Sequence, residues 1–407
     1  MSKLRILMLT TDLGNGGAEK VFHQHAADFA QYAEVEEVVY DRGQGERVYD
    51  SELPLHDLKR SDFWSRLGPF GRLVSRAISL RNLVAAGKFH VVISHMDGAN
   101  WVNVLSRSSA RKILVVHGTV LHDRNVSNFR QWLRLKVIFP WVYNQADCTV
   151  AVSEGIAREL RTLGNVRNVR AIPNYFDQDS IRRKAESPLS ASIEAIFAKP
   201  PILVTSGRLA KEKRQSALLD MLAILRQKGS SARLIVLGDG ELRESLLRQC
   251  AELGLSAWAA WESEKPCSAS FDVYFLGYVH NPYQYIARST LFLFPSAWEG
   301  FPLSLCEAMI LGLPVLSADC PTGPREIIAP GTTRDSYDLQ CAEFTERGVL
   351  LPIIRSETDL GTWINALEVM ISDPSLRERI GSLGQKAISK LDRSVAQPNW
   401  RDLISKL

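Results

Sequence analysis

Short runs of apolar and β-branched residues alternate along the first half of the chain with longer stretches in which apolar positions recur every three or four residues. Residues 4–9, 35–40, 90–94, 112–116 and 148–152 read as strands. Residues 18–32, with Val21, Phe22 and Phe29 at helical spacing, read as a helix opened by the turn Gly14-Asn15-Gly16-Gly17. Strands this continuously apolar predict a parallel sheet covered on both faces. The pattern starts afresh after Pro200-Pro201, with strands at 202–206, 233–237, 273–276, 291–294 and 314–318 and a helix carrying Ala217, Leu218, Met221, Leu222 and Leu225. Strand-helix alternation on this scale is an α/β pattern, and it occurs twice. The proline-bearing stretch 187–201 marks the junction, which gives domains 1–185 and 186–385. The helical segment 386–407 reads as able to pack back on the first. Residues 255–270 lengthen one helix-to-strand connection. Trp258 and Trp261, three apart, would share a face if that stretch were helical, and local packing is the expected role, with a contact surface as the alternative.

Composition narrows the setting. A chain of 407 residues, 45% hydrophobic, can bury two cores. The first residues lack the apolar stretch and cleavage site of a signal peptide, and the longest apolar runs are strand-sized, so neither export nor a membrane span is expected. Six cysteines at unrelated spacings read as reduced thiols in a cytoplasmic setting. Charge is unevenly spread: residues 1–176 carry 23 Lys and Arg against 17 Asp and Glu, a balance of +6, which leaves −2 of the net +4 for the remainder. Within 59–88, Lys59, Arg60, Arg66, Arg72, Arg76, Arg81 and Lys88 face the single acid Asp62. On a helix beginning near Pro69, Phe70, Leu73, Val74, Ala77 and Val84 would form one side, with Arg72, Ser75, Arg76 and Ser79 on another. That arrangement is either a helix on its own sheet or a cationic face for an anionic membrane or a polyprenyl diphosphate. The stretch lacks the interleaved aromatics of a nucleic-acid surface.

Three places carry candidate chemistry. Gly16 and Gly17 follow the first strand, where a glycine turn lets backbone amides approach a phosphate or sugar, but the spacing is neither a dinucleotide fingerprint nor a P-loop. Arg208 and Lys213, beyond the strand 202–206, could neutralise a diphosphate and the charge that develops on it as a glycosidic bond breaks. In 294–309 a strand runs through a Pro/Gly turn into a helix whose first amides lack intrahelical partners. Glu299 precedes that helix and Glu307 lies within it, each able to accept hydrogen bonds from sugar hydroxyls.

Taken in order, Gly-Gly-Ala-Glu at 16–19, His117-Gly118, Val152-Ser153-Glu154, Ile172-Pro173-Asn174, Gly207-Arg208-Leu209 with Lys213, Gly238-Asp239-Gly240, Phe275-Leu276-Gly277 and the Glu299/Glu307 pair make nearly the whole chain resemble the retaining GT-B glycosyltransferases of family 4. The resemblance implies a GT-B fold, two Rossmann-like domains facing across a cleft, the first on the acceptor side and the second holding the nucleotide sugar. It also implies roles: Glu307 on the nucleotide ribose, Glu299 on donor-sugar hydroxyls, Arg208 and Lys213 with the Leu303 and Ser304 amides as diphosphate clamp. His117 would lie against the donor sugar, Gly16 and Gly17 beside the diphosphate and acceptor, and Gly277 and Tyr278 beside the base. The chain departs from the family at Asn174-Tyr175-Phe176, where relatives commonly read Asn-Gly-Val, and at Arg214-Gln215.

The expected activity is retaining transfer of a hexose or N-acetylhexosamine from a nucleoside diphosphate sugar, first of all a UDP-sugar, to a glycan acceptor that is lipid-linked, in bacterial-type surface glycan assembly. The expected location is the inner face of the cell membrane, with Arg72, Arg76 and Arg81 as membrane or acceptor contacts. The alternatives are a GT-B sugar-nucleotide epimerase or hydrolase, or a non-catalytic nucleotide-sugar-binding protein. No cofactor or metal is expected: there is no His-Glu-x-x-His, and the only Asp-x-Asp, Asp177-Gln178-Asp179, falls away from the presumed diphosphate.

Overall fold

The computed structural model describes residues 3–14, 16–40, 51–58, 68–119, 133–262, 267–332 and 339–406. The chain forms two units, Met1–Asn174 with Gln397–Leu407, and Tyr175–Ala396. The junction lies earlier than the proline stretch because the helix Gln178–Ala185 buries Ile181 and Ala185 in one core with Ile202, Val204 and Tyr283. Asp177, the first acid of the Asp-x-Asp, caps this helix by accepting from the Ser180 amide at 2.8 Å.

Among the described residues of the first unit, seven strands stand in the order β3-β2-β1-β4-β5-β6-β7. They are β1 Arg5–Thr10, β2 Glu34–Val39, β3 Leu55–Asp57, β4 Val91–His95, β5 Arg111–Val116, β6 Cys148–Ala151 and β7 Val169–Ala171. Every described pairing is parallel. Ile6, Leu7, Met8 and Leu9 are wholly buried, as strands covered by helices on both faces require. At the chain's end Trp400 is buried against the rings of His25, at 4.7 Å, and Phe29, at 5.6 Å.

The helix Gly68–Gly87 differs from the amphipathic expectation. Ser75 is buried with Ala77, Leu80 and Val84 against its own sheet, whereas Phe70 is 72% and Ile78 43% exposed. Arg76 lays its guanidinium 4.0 Å from the centre of the Tyr40 ring, while Arg72 and Arg81 are exposed. Lys59, Arg60 and Arg66 lie outside the described residues.

Among the described residues, the second unit holds eight strands in the order β10-β11-β9-β8-β12-β13-β15-β14. They are β8 Ile202–Ser206, β9 Arg233–Leu237, β10 Ala257–Ala259, β11 Val273–Gly277, β12 Leu291–Phe294, β13 Val315–Ala318, β14 Glu343–Phe344 and β15 Val349–Leu351. Only the pair β14 and β15 is antiparallel among the described strands. The two tryptophans of 255–270 do not share a helix face. Trp258 is in the edge strand β10, and Trp261 follows it, packing on Phe275 at 5.8 Å beneath the Arg243 guanidinium at 4.9 Å. Residues 263–266 of that stretch lie outside the described residues.

Candidate active site

From β8 the second sheet grows outward on both sides, to β9, β11 and β10 on one and to β12, β13, β15 and β14 on the other. Open α/β sheets bind ligands beyond the carboxyl ends of the strands where the order reverses, here β8 and β12. The loops leaving these strands carry three of the predicted residues, Arg208, Lys213 and Glu299. Lys213 ends the short helical turn Lys211–Lys213, and its Nζ lies 2.5 Å from Oε1 of Glu299. The two side chains are only 24% and 10% exposed, so this is a partly desolvated ion pair rather than a surface one. The two loops are tied by the Ala297 amide, which donates to the Glu212 carbonyl at 2.7 Å, and the Thr322 hydroxyl donates to the Glu299 carbonyl. Arg208 is different: its side chain is 71% exposed and reaches Glu212 Oε1 at 2.6 Å. Burial alone would raise the Glu212 carboxyl, but a backbone amide and the Arg208 guanidinium hold it below its ordinary range.

The helix Leu303–Ile310 is pinned to the end of β8 by the Ser304 hydroxyl, which donates to the Ser206 carbonyl at 3.0 Å. The Leu303 and Ser304 amides belong to its first turn and have no intrahelical carbonyl to meet. One turn on, Glu307 is buried and accepts from the Tyr283 hydroxyl at 3.2 Å.

Three glycine-bearing turns stack at the ends of adjacent strands. The Gly207 amide donates to the Leu237 carbonyl at 2.9 Å, the Leu209 amide to Asp239 at 2.9 Å and the Gly238 amide to Gly277 at 2.8 Å. Gly238, at φ +134°, leaves no room for a β-carbon, which would fall on the Gly207 carbonyl oxygen. Tyr278, after Gly277, is 37% exposed and stands edge-on to His280.

In the first unit the order reverses between β1 and β4. Beyond β1, Asp12 Oδ1 accepts from the Gly14 amide at 3.0 Å, and Gly16 precedes the helix Gly17–Phe29, whose Glu19 folds back over the site where a Gly16 β-carbon would lie. Asn15 lies outside the described residues. Beyond β5, His117 is half-buried and its Nε2 lies 2.9 Å from Nδ1 of His95, the last residue of β4, with the rings stacked at 5.0 Å. Burial pushes His117 down to about 4, and burial followed by the neighbouring His117 pushes His25 down to about 3; His95 is also well below its ordinary value through burial. All three are neutral at neutral pH. A buried polar network backs the strand ends: Ser94 donates to Asn100 Oδ1 at 2.7 Å, Asn100 to the Val115 carbonyl at 3.0 Å, and Tyr143 to Asp97 Oδ1 at 2.7 Å.

The structure thus brings Lys213, Glu299, Arg208, Leu303, Ser304 and Glu307 to one end of one sheet, and Gly16, Gly17 and His117 to the ends of strands in the other. Arg72, Arg76 and Arg81 stand apart on the helix Gly68–Gly87. Sequence reasoning missed His95 and Glu212, the partners of His117 and Arg208. Among the described residues, no group of three or more His, Cys, Asp or Glu side chains is placed to hold a metal ion, and no helix is long and apolar enough to cross a membrane.

The chain is similar to known glycosyltransferases over most of its length. The model of glycosyltransferase family 4 matches residues 15–180, and that of the glycosyl transferases group 1 matches residues 188–338. An uncharacterized glycosyltransferase of Methanocaldococcus jannaschii is 30% identical over 365 residues, 83% of this chain and 84% of its own. The N-acetylgalactosamine-N,N'-diacetylbacillosaminyl-diphospho-undecaprenol 4-alpha-N-acetylgalactosaminyltransferase of Campylobacter jejuni is 24% identical over 80% of this chain and 83% of its own. In fold, the chain is similar to Anabaena HepE, solved in complex with UDP, with a TM-score of 0.76 at 18% identity over 99% of this chain and all of that one. Two consecutive family models, a relative matched over most of both chains and a fold shared from end to end place this chain in the family 4 group of GT-B glycosyltransferases.

Proposed function

We propose that this enzyme transfers a hexose or N-acetylhexosamine from a UDP-sugar to a lipid-linked glycan in surface-glycan assembly, with retention of configuration and without a metal ion. The observation that carries the reading is the Lys213–Glu299 pair at the reversal of the second sheet, next to the first-turn amides of Leu303 and Ser304. A nucleoside diphosphate arriving there supplies the anion that Lys213 otherwise finds in Glu299. Released from the pair, Glu299 accepts from sugar hydroxyls while Lys213 and Arg208 take the diphosphate, and Glu307 takes the ribose hydroxyls. The Gly277-Tyr278 turn lies beside the base, and Gly16 and Gly17 approach the diphosphate and acceptor with their backbone. In the retaining step the acceptor hydroxyl attacks the anomeric carbon on the face that the nucleotide leaves. The glycosidic C–O bond breaks, the departing phosphate takes the acceptor proton, and Lys213, Arg208 and the helix amides stabilise its charge. His117, neutral, hydrogen-bonds the donor sugar from the first unit. The UDP of the HepE complex and the undecaprenol-linked substrate in the Campylobacter enzyme's name support the choice of base and acceptor class.

A donor panel followed by product mass tests this reading, with lipid-linked and free saccharide acceptors in parallel. Net transfer from a UDP-sugar to the lipid-linked acceptor is expected. Reaction with a GDP-sugar alone would refute the base, and sugar release or interconversion without transfer would refute the reaction class.

The cytoplasmic membrane face is proposed as the place of action because the helix Gly68–Gly87 exposes the apolar Phe70 and Ile78 as well as the cationic Arg72 and Arg81. Each cation near an anionic bilayer contributes on the order of 1 kcal/mol, enough for reversible attachment when an apolar anchor accompanies it. Co-sedimentation should rise with anionic lipid and fall with salt. It should drop severalfold when Phe70→Ala is combined with Arg72→Gln and Arg81→Gln. Equal recovery in the supernatant with anionic vesicles, neutral vesicles and none would refute attachment and leave the transferase reading standing.

A further inference from the structure

His117 is the imidazole that the proposed function sets against the donor sugar, and its hydrogen-bonding role depends on which nitrogen carries the proton. That choice is made by His95. His95 ends β4 and His117 follows the adjacent parallel strand β5, two residues beyond Val115, with which His95 pairs, so the strand register brings the two residues to neighbouring places. Nδ1 of His95 meets Nε2 of His117 at 2.9 Å, so one nitrogen donates and the other accepts. The far nitrogen of His95 decides between them. Its Nε2 is buried without a hydrogen-bond partner among the described residues, and the centre of the His95 ring stands 5.3 Å from that of Phe22 and 5.5 Å from that of His25, both edge to face.

A proton on that nitrogen would be a buried donor with nothing to receive it, a situation native structures avoid more strictly than an idle lone pair. The neutral ring of His95 therefore carries its proton on Nδ1 and donates it to His117. Nε2 of His117 becomes the acceptor, and the proton of its own neutral ring is confined to Nδ1, the nitrogen that does not meet His95. The backbone holds this arrangement under strain. Met96, directly after His95, sits at φ 74°, ψ 151°, a conformation that non-glycine residues take only when their surroundings impose it. The Met96 amide donates to the Val115 carbonyl at 3.3 Å and its carbonyl accepts from the Asn100 amide at 2.9 Å.

We propose that His95 is a positioning residue that fixes His117 as the Nδ1–H tautomer, so that His117 offers the sugar donor a hydrogen-bond donor and selects an oxygen acceptor, a hydroxyl or a carbonyl, at that point. This rests on the reading that His117 meets the donor sugar. The tautomer itself does not, which separates the two in a test.

The experiment is the nitrogen NMR spectrum of the full-length enzyme labelled with 15N-histidine, with the His117 signals assigned by their loss in His117→Ala. Wild type should show His117 protonated at Nδ1 near neutral pH, and His95→Leu should shift it towards a mixture of tautomers. His95→Asn, whose amide nitrogen can stand where Nδ1 stood, should restore the wild-type pattern. In transfer assays kcat/KM should fall about tenfold in His95→Leu and return to within about threefold of wild type in His95→Asn. A wild-type His117 protonated at Nε2 overturns the proposal, with no variant needed to see it. So does a folded His95→Leu enzyme with wild-type kinetics and an unchanged His117 spectrum. Wild-type transfer by His117→Ala would instead refute the sugar contact of His117.

Discussion

Lys213→Ala is expected to lower kcat by about 10²–10³-fold, the usual effect of removing one preorganised donor to the charge of a transition state. The ammonium of Lys213 stands 2.5 Å from Glu299 and 5.8 Å from the centre of the Phe294 ring, so it is placed before any ligand arrives. Alanine removes the charge from the departing phosphate and also leaves the Glu299 carboxylate, 10% exposed, without its counter-ion. Some loss of stability therefore accompanies the catalytic loss. Lys213→Ala combined with Glu299→Gln separates them: the neutral amide relieves the orphaned charge and recovers stability, while turnover stays low. Steady-state kinetics beside circular dichroism and a melting curve check both. A folded Lys213→Ala enzyme with unchanged kcat would remove this residue from the diphosphate.

Gly238→Ala is expected to destabilise the second unit by on the order of 3 kcal/mol, because one methyl group meets both an unfavourable φ and an occupied space. The β-carbon would fall on the Gly207 carbonyl oxygen and stand 2.8 Å from its carbon, and this backbone is itself tied to the next strand by the Gly207 amide, which donates to the Leu237 carbonyl at 2.9 Å. For a unit of this size that is a fall in Tm of roughly 6–12 °C. The displaced Gly207-Arg208 turn would also raise the KM for the donor. Gly361→Ala is the control: it lies within the helix Glu357–Ser372 with nothing within 4 Å of a new β-carbon, and it should leave Tm unchanged or slightly higher. Equal melting of Gly238→Ala and wild type would show that the stacked turns do not hold the site.

Most of the sheet scaffold was legible in the sequence because its central strands are short, apolar and punctuated by turns. β1, β4, β5, β8, β9 and β12 read directly from such runs. The edge strands β3 and β10 did not: Leu55-His56-Asp57 is half polar, and Ala257-Trp258-Ala259 sits in a stretch that resembles an insertion. The junction was misplaced because proline marks a chain that cannot continue a helix, whereas unit membership is decided by which core Ile181 and Ala185 enter. The helix Gly68–Gly87 shows the same limit, since spacing gives a face but the sheet beneath decides whether Ser75 or Phe70 is covered.

At the site, Lys213, Glu299 and Glu307 were legible as residue types at strand ends. Their pairing was not, because Lys213 and Glu299 are 86 residues apart and meet only through the strand order. His95 carried no motif of its own, and its importance comes from standing beside His117 on the next strand.

Cationic side chains and helix amides, rather than a metal ion, are proposed to neutralise the departing diphosphate. The most direct test is sugar transfer from the preferred donor to a lipid-linked acceptor, read by product mass after dialysis against excess EDTA and again with EDTA in the assay. The same initial rate and product as without chelator are expected. Complete loss of transfer, restored by magnesium or manganese, would contradict that proposal.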